Sequence, residues 1–322
     1  MKSSKYLKAA GVGLLFSLWF VVGCKDQITE PEPTPSRKDS IPKDAVKVKP
    51  ETDVFPPVLH SDNWNPPAPL AGPINTAGAE DSPFMTADGN NFYFFFTPDV
   101  KQPAEKQLLD RVTGVWWSKN MQGQWSEPTK VILSNDVALD GAVFVQGDIL
   151  WFGSVRAGNY GEADFYTARL KNGKWTEVTN AGKQLNQDYD VGELHIASDG
   201  NTMYCGGPKV KDIHLLQKTA EGWSKPAALP SPINTNANED QPFITPDGNE
   251  LWFTGDSRRG YTGPAIFRSI KTVGGWNTPE EIISNFAGEP TLDAQGNIYF
   301  VHHFFNKEMK MIEADIYVAY RK

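Results

Sequence analysis

Cysteine is nearly absent, with two in 322 residues. That excludes a disulfide scaffold and a multi-cysteine zinc site. Basic charge is scarce too: 31 Lys and Arg stand against 39 Asp and Glu, a formal net charge of -8. Such a chain lacks the positive face that nucleic acid requires, so no nucleic-acid partner is expected. A mean hydropathy of -0.44 excludes a multi-span membrane protein. No βαβ periodicity supports dinucleotide binding, and no G-x-S-x-G elbow supports a serine hydrolase. What is plentiful is Gly (28), Pro (24) and Trp (10). That composition suits many short strands and turns rather than helices.

The N-terminus carries an address. Lys2, Lys5 and Lys8 precede an apolar stretch, 9–22, that is too short for a comfortable membrane span. It ends in Val21-Val22-Gly23-Cys24, which resembles the bacterial lipobox. The resemblance implies cleavage before Cys24 and attachment of a diacylglyceryl group to its thiol. With Lys25 next in the chain, it also implies the outer membrane as destination. Residues 1–23 thus read as a lipoprotein signal peptide, and the mature charge becomes -11. Residues 24–50 hold five prolines among charged residues and read as an extended, lipid-anchored tether. Cys205, in an apolar run, is expected to be a buried small hydrophobe.

Residues 51–322 carry an internal repeat. WNPPAPLAGPINTAGAEDSPFMTADG at 64–89 returns as WSKPAALPSPINTNANEDQPFITPDG at 223–248 without a gap. Trp64, Trp125, Trp175, Trp223 and Trp276 recur at spacings of 61, 50, 48 and 53. Short apolar strands follow turns at Asp88-Gly89, Gly147-Asp148, Asp199-Gly200, Asp247-Gly248 and Gln295-Gly296. Four antiparallel strands per unit of about 50 residues describe a propeller blade. The expected fold is therefore all-β: a five-bladed β-propeller of four-stranded antiparallel blades. The fifth unit runs out before its Trp strand, so an N-terminal strand from about 53–68 is expected to join the last blade and close the ring.

EDQPFITPDGNELWFTGDSRRG and LWFGSVRAGNYGEADFYTARLKNGKWTE resemble the TolB-type WD40-like β-propeller repeat. The resemblance covers about residues 64–320 and implies a fold and an exported setting, not one activity. In such a blade the first strand lines the channel. The Asp-Gly turns then share one uniform, structural face. The opposite face gathers the variable loops 98–114, 155–163, 206–211, 257–264 and 303–314 and is expected to be functional.

That face holds the start of each channel strand, with Glu80, Asp81, Asp140, Glu193, Glu239, Asp240 and Glu289. An acidic mouth suits a cation such as calcium, an amine or a polyhydroxylated ligand. The competing reading has these acids bonding loop amides as part of the blade pattern. His195, Arg156, Arg258, Tyr160, Tyr189 and Tyr261 complete the candidate ligand-binding set, with the arginines as carboxylate clamps and the tyrosines as stacking surfaces. His302 and His303 lie near the same face without diagnostic metal spacing. Of adjacent Trp116 and Trp117, one should face each side of its strand.

The leading expectation is a monomeric, lipid-anchored module that binds a glycan or an envelope protein partner. The alternative is a glycoside hydrolase. Five-bladed arabinanase- and fructosidase-like enzymes use three central carboxylates, and Asp81, Asp140 and Glu193 imitate that trio in type. The Asn-Asp-Pro and Arg-Asp-Pro signatures of the fructosidases are absent. A purely structural envelope protein is the third reading.

Overall fold

A computed structural model describes residues 35–207 and 211–322. The expected signal peptide, Cys24 and the first part of the expected tether lie outside the described residues. So do 208–210 within the third variable loop.

The architecture is all-β and propeller-like. Five strand sets follow one another, each an antiparallel meander. Their innermost strands are Ala79–Met85, Ala138–Gln146, Leu194–Ile196, Glu239–Ile244 and Ala287–Leu292. These five touch in a closed cycle, first to second and on to fifth and back to first. Hydrogen bonding defines four sheets, because the single parallel bridge Ala314↔Ala79 joins the first and fifth sets.

The turns explain the meander. Gly89, Gly147, Gly200, Gly248 and Gly296 all have φ between 61° and 77°. That left-handed backbone costs glycine little. In four of these turns an Asp caps the chain ahead: Asp88 accepts from Asn90 N, Asp199 from Asn201 N, Asp247 from Asn249 N and Asp293 from Gln295 N.

The ring closes through the N-terminal segment. Ala68–Pro69 pairs with Val318 and Tyr317 of the fifth set, and Trp64 bridges to Arg321. Val58–Leu59 instead extends the fourth set, against Ser284 and Ile283. Trp64 is the bolt. It is 1% exposed, meets Trp252 edge-on at 5.6 Å and donates its indole N–H to Gly296 O at 2.9 Å. Burying one such ring contributes about 1.5–3 kcal/mol or more.

From residue 35 the expected tether is not free but docked on the ring. Arg37 is 3% exposed. It donates to Ile74 O at 2.8 Å, Pro73 O at 2.7 Å and Glu80 Oε1 at 3.2 Å. Its guanidinium lies 5.2 Å from the Phe94 and Phe96 rings. Lys47 binds Glu313 and Asp315, and Asp53 meets His302 Nε2 at 2.7 Å. Charged anchors carry this docking, so hydropathy periodicity gave no sign of it.

Candidate functional site

The channel strands share a kink. Ser82, Ala142, Gln241 and Glu289 have φ between 46° and 54°, and the pairing to the second strand shifts register at each. These are bulges, which re-aim the side chains around them. Lined up on the bulge, Glu80, Asp140 and Glu239 are equivalent, two places before it. Asp81 and Asp240 follow, one place before it. Phe84, Phe144 and Phe243 come two places after it. His195 packs among those rings, 4.6 Å from Phe144 and Phe243 and 6.2 Å from Phe84. That places Glu193 level with the bulge in the third set, as Glu289 is in the fifth.

The acids therefore fall into two layers. In the outer layer each carboxylate is buried and already bonded. Glu80 accepts from Thr76 N at 2.8 Å, Thr76 Oγ1 at 2.6 Å and Arg37. Burial pushes its carboxyl up to about 8, against the pull of Thr76 and Arg37. Glu239 accepts from Thr235 N at 3.0 Å, Thr235 Oγ1 at 2.6 Å and Arg258 Nη2 at 2.9 Å. Asp140 accepts from Ser154 Oγ and Arg156 Nη2, both at 2.7 Å. Arg156 and Arg258 are thus internal forks, not free clamps, and each guanidinium also covers a ring of its own set, Tyr166 at 4.6 Å and Phe267 at 4.5 Å. Asp140 is tied to Ser154 and Arg156 in this outer layer, so of the expected trio only Asp81 and Glu193 fall in the inner one.

The inner layer faces the channel. Asp81 accepts from Ser82 N at 2.8 Å and meets His303 Nε2 at 3.1 Å. Burial opposes its ionisation, but His303 beside it holds the carboxyl below the ordinary range. Burial likewise opposes the charge on His303, and Asp81 reverses this and raises it. Glu193 is pushed up to about 7 by burial and then by Asp240. Burial first, with Glu193 and Asp81 adding, holds Glu289 well above the carboxylate range, and burial raises Asp240. Of these acids Glu193 and Glu289 line a small space, about 50 Å³, with Ser82, Gln241 and Thr291.

Phe84, His195 and Phe243 also line a second, far larger space on their other side. This cavity, about 720 Å³, is ringed by Asp88, Gly147, Ser198, Pro246 and Asp293 of the five inner turns. It widens between the first and second sets against Tyr93, Trp117 and Trp175. The roomy end of the channel is therefore the turn face, where none was expected. Short, uniform turns leave it uncovered, whereas the opposite end is filled by bonded acids. Burial drives His195 down to about 3, so its ring is neutral.

The remaining candidates scatter. Tyr160 and Tyr261 are exposed on their loops, and Tyr261 packs on His60 at 5.2 Å. Tyr189 lies away from the mouth, in the helical turn Gln184–Tyr189, with its hydroxyl on Trp223 O at 3.3 Å. His302 is buried against Asp53. Cys205 is buried, its thiol pushed up to about 12. Trp116 is buried while Trp117 reaches the cavity. Among the described residues no group of three or more His, Cys, Asp or Glu side chains is arranged to hold a metal ion. A cation such as calcium, one of the ligands an acidic mouth would suit, thus has no such ligand group among the described residues. Arg37, Lys47 and the cavity aromatics escaped the sequence reading. The repeated Pro-Phe step at Phe84 and Phe243, the Trp116-Trp117 pair and the repeat marker Trp175 carried some of these aromatics, but as strand markers and not as a cavity lining.

No protein-family model matches the chain, and no curated protein does. Solved structures do resemble it. An α-L-arabinofuranosidase from Podospora anserina is 12% identical over 79% of this chain and 95% of its own, with a TM-score of 0.47. An arabinanase from Bacillus subtilis is 13% identical over 76% and 95%, TM-score 0.43. TolB from Acinetobacter baumannii is 11% identical over 77% of this chain and 56% of its own, TM-score 0.41.

Proposed function

We propose that this chain is a five-bladed propeller, anchored to the outer membrane through Cys24, that binds a small ligand in the turn-face cavity. One observation carries the reading: the cavity of about 720 Å³ is lined mainly by aromatic and aliphatic side chains. Ligand sites are commonly apolar clefts of roughly 300–1,000 Å³ with a few polar groups. The acidic mouth offers far less room, and its outer acids are engaged. A glycan or envelope partner is therefore better sought at the turns than at the mouth.

Trp117 and Trp175 are built-in reporters. Titration of the mature protein with a ligand library should shift tryptophan emission, and the response should shrink in Trp117→Phe and Trp175→Phe. A library that moves emission equally in wild type and both variants would remove the cavity from consideration. Cys24→Ser should move the protein from the membrane to the soluble fraction.

A second reading keeps one specific observation: His303 Nε2 lies 3.1 Å from Asp81 and holds its carboxyl below the ordinary range, while burial raises Glu193 and Glu289. Carboxyls tuned apart are the acid and base of many hydrolases. Product analysis with oligosaccharides would show turnover lost in Glu193→Gln and Glu289→Gln if that chemistry operates.

A further inference from the structure

Resting on that reading, we propose that the turn-face cavity takes a neutral, mainly apolar small molecule rather than a sugar. The reason lies in what its polar lining is already doing. Asp88 is held by Thr86 and Asn90, and Asp293 by Gln295, Asn297 and Tyr299. Asn91 Oδ1 accepts the indole N–H of Trp117 at 3.0 Å. Gln146 Nε2 donates to Ala197 O at 2.9 Å, and Ser198 Oγ donates to Pro246 O. Lys130 turns its ammonium to the carbonyls of Arg111 and Thr113, at 2.6 and 3.1 Å. These groups build the turns and the seam between sets.

Sugar hydroxyls entering the cavity would exchange water for surfaces with few open partners, and unpaired buried hydroxyls oppose binding. A hydrocarbon or fused-ring body would instead cover Phe84, Tyr93, Phe144 and Trp175 and lose nothing. Charge points the same way. Asp88 and Asp293 are taken up by their own turns and Lys130 by the carbonyls of Arg111 and Thr113, so these groups offer an entering ion no open partner and a neutral occupant is favoured. The floor adds no charge, because burial keeps His195 neutral.

N-phenyl-1-naphthylamine, a neutral apolar fluorophore, is a suitable probe. It should bind the mature protein one to one, with energy transfer from tryptophan. Leu170 lies at the cavity rim and is 41% exposed, so its replacement spares the core. Leu170→Asp should weaken the probe at least tenfold, while Leu170→Met should stay within twofold. Dodecanol should displace the probe, and cellohexaose should not. Displacement by cellohexaose, or its direct effect on Trp117 emission, would overturn the apolar class and leave the cavity as the binding site. Failure of every probe and sugar to alter cavity tryptophan emission would overturn both. Probe binding that ignores Leu170→Asp would place the probe elsewhere and overturn the proposal.

Discussion

The first and fourth sets solve one problem with different parts of the chain. Each buries a glutamate beside a threonine four residues earlier, and each needs a cation over it. In the fourth set Arg258 comes from the loop after the second strand, on the same sequence pattern as its glutamate. In the first set the cation over Glu80 is Arg37, from 43 residues upstream. The fourth set completes itself; the first is finished by a segment that otherwise reads as spacer. A distant segment can thus supply the charge and the stacking that a local loop supplies in another set.

The sharpest way to break the comparison is to remove each arginine. Arg37→Ala strips three hydrogen bonds and a ring stack from a fully buried site, and should cost about 3–5 kcal/mol in urea unfolding. Arg258 is 30% exposed, so Arg258→Ala should cost only about 1 kcal/mol. Equal losses would mean that the upstream segment adds no more than a local loop does.

The two acid layers differ in the same sense. Asp140→Asn should cost about 2 kcal/mol, because two charge-assisted bonds weaken. Asp240→Asn should cost less than about 0.5 kcal/mol, since burial already disfavours that charge. For Glu193 the sign follows from its raised value. Between its ordinary value near 4.5 and about 7 the folded state keeps a proton that the unfolded state has lost, so stability falls as pH rises through that window. Glu193→Gln should therefore leave stability unchanged near pH 4 and raise it by about 1–2 kcal/mol at pH 8, read from thermal midpoints. The smallest effect belongs to the exposed loops: Tyr160→Ala should stay within about 0.5 kcal/mol.

Much of the fold was legible because propeller turns and strands are local. Asp-Gly pairs mark backbone that needs a left-handed residue, and Trp64 without strands of its own marked the closure. The site was less legible. Asp140 and Asp81 look interchangeable in the sequence, but a bulge of one residue places Asp140 with Glu80 and Glu239. Tyr189 reads as a loop residue, yet a helical turn folds it inward. The cavity leaves no motif at all, since it is the gap left where five short turns and two tryptophan-bearing strands meet. Arg37 was hidden because a single charged anchor in Pro-rich chain has no period.

The closure has a consequence in time. Residues 58–69 find their partners only at 283–284 and 317–318, so the first part of the ring to leave the ribosome is among the last to be satisfied. Contacts so distant in the chain are slow to form. Until the C-terminal strands arrive, the nascent chain presents an unzipped edge at both of its ends. The chain therefore stays open along that seam until its last strand is made.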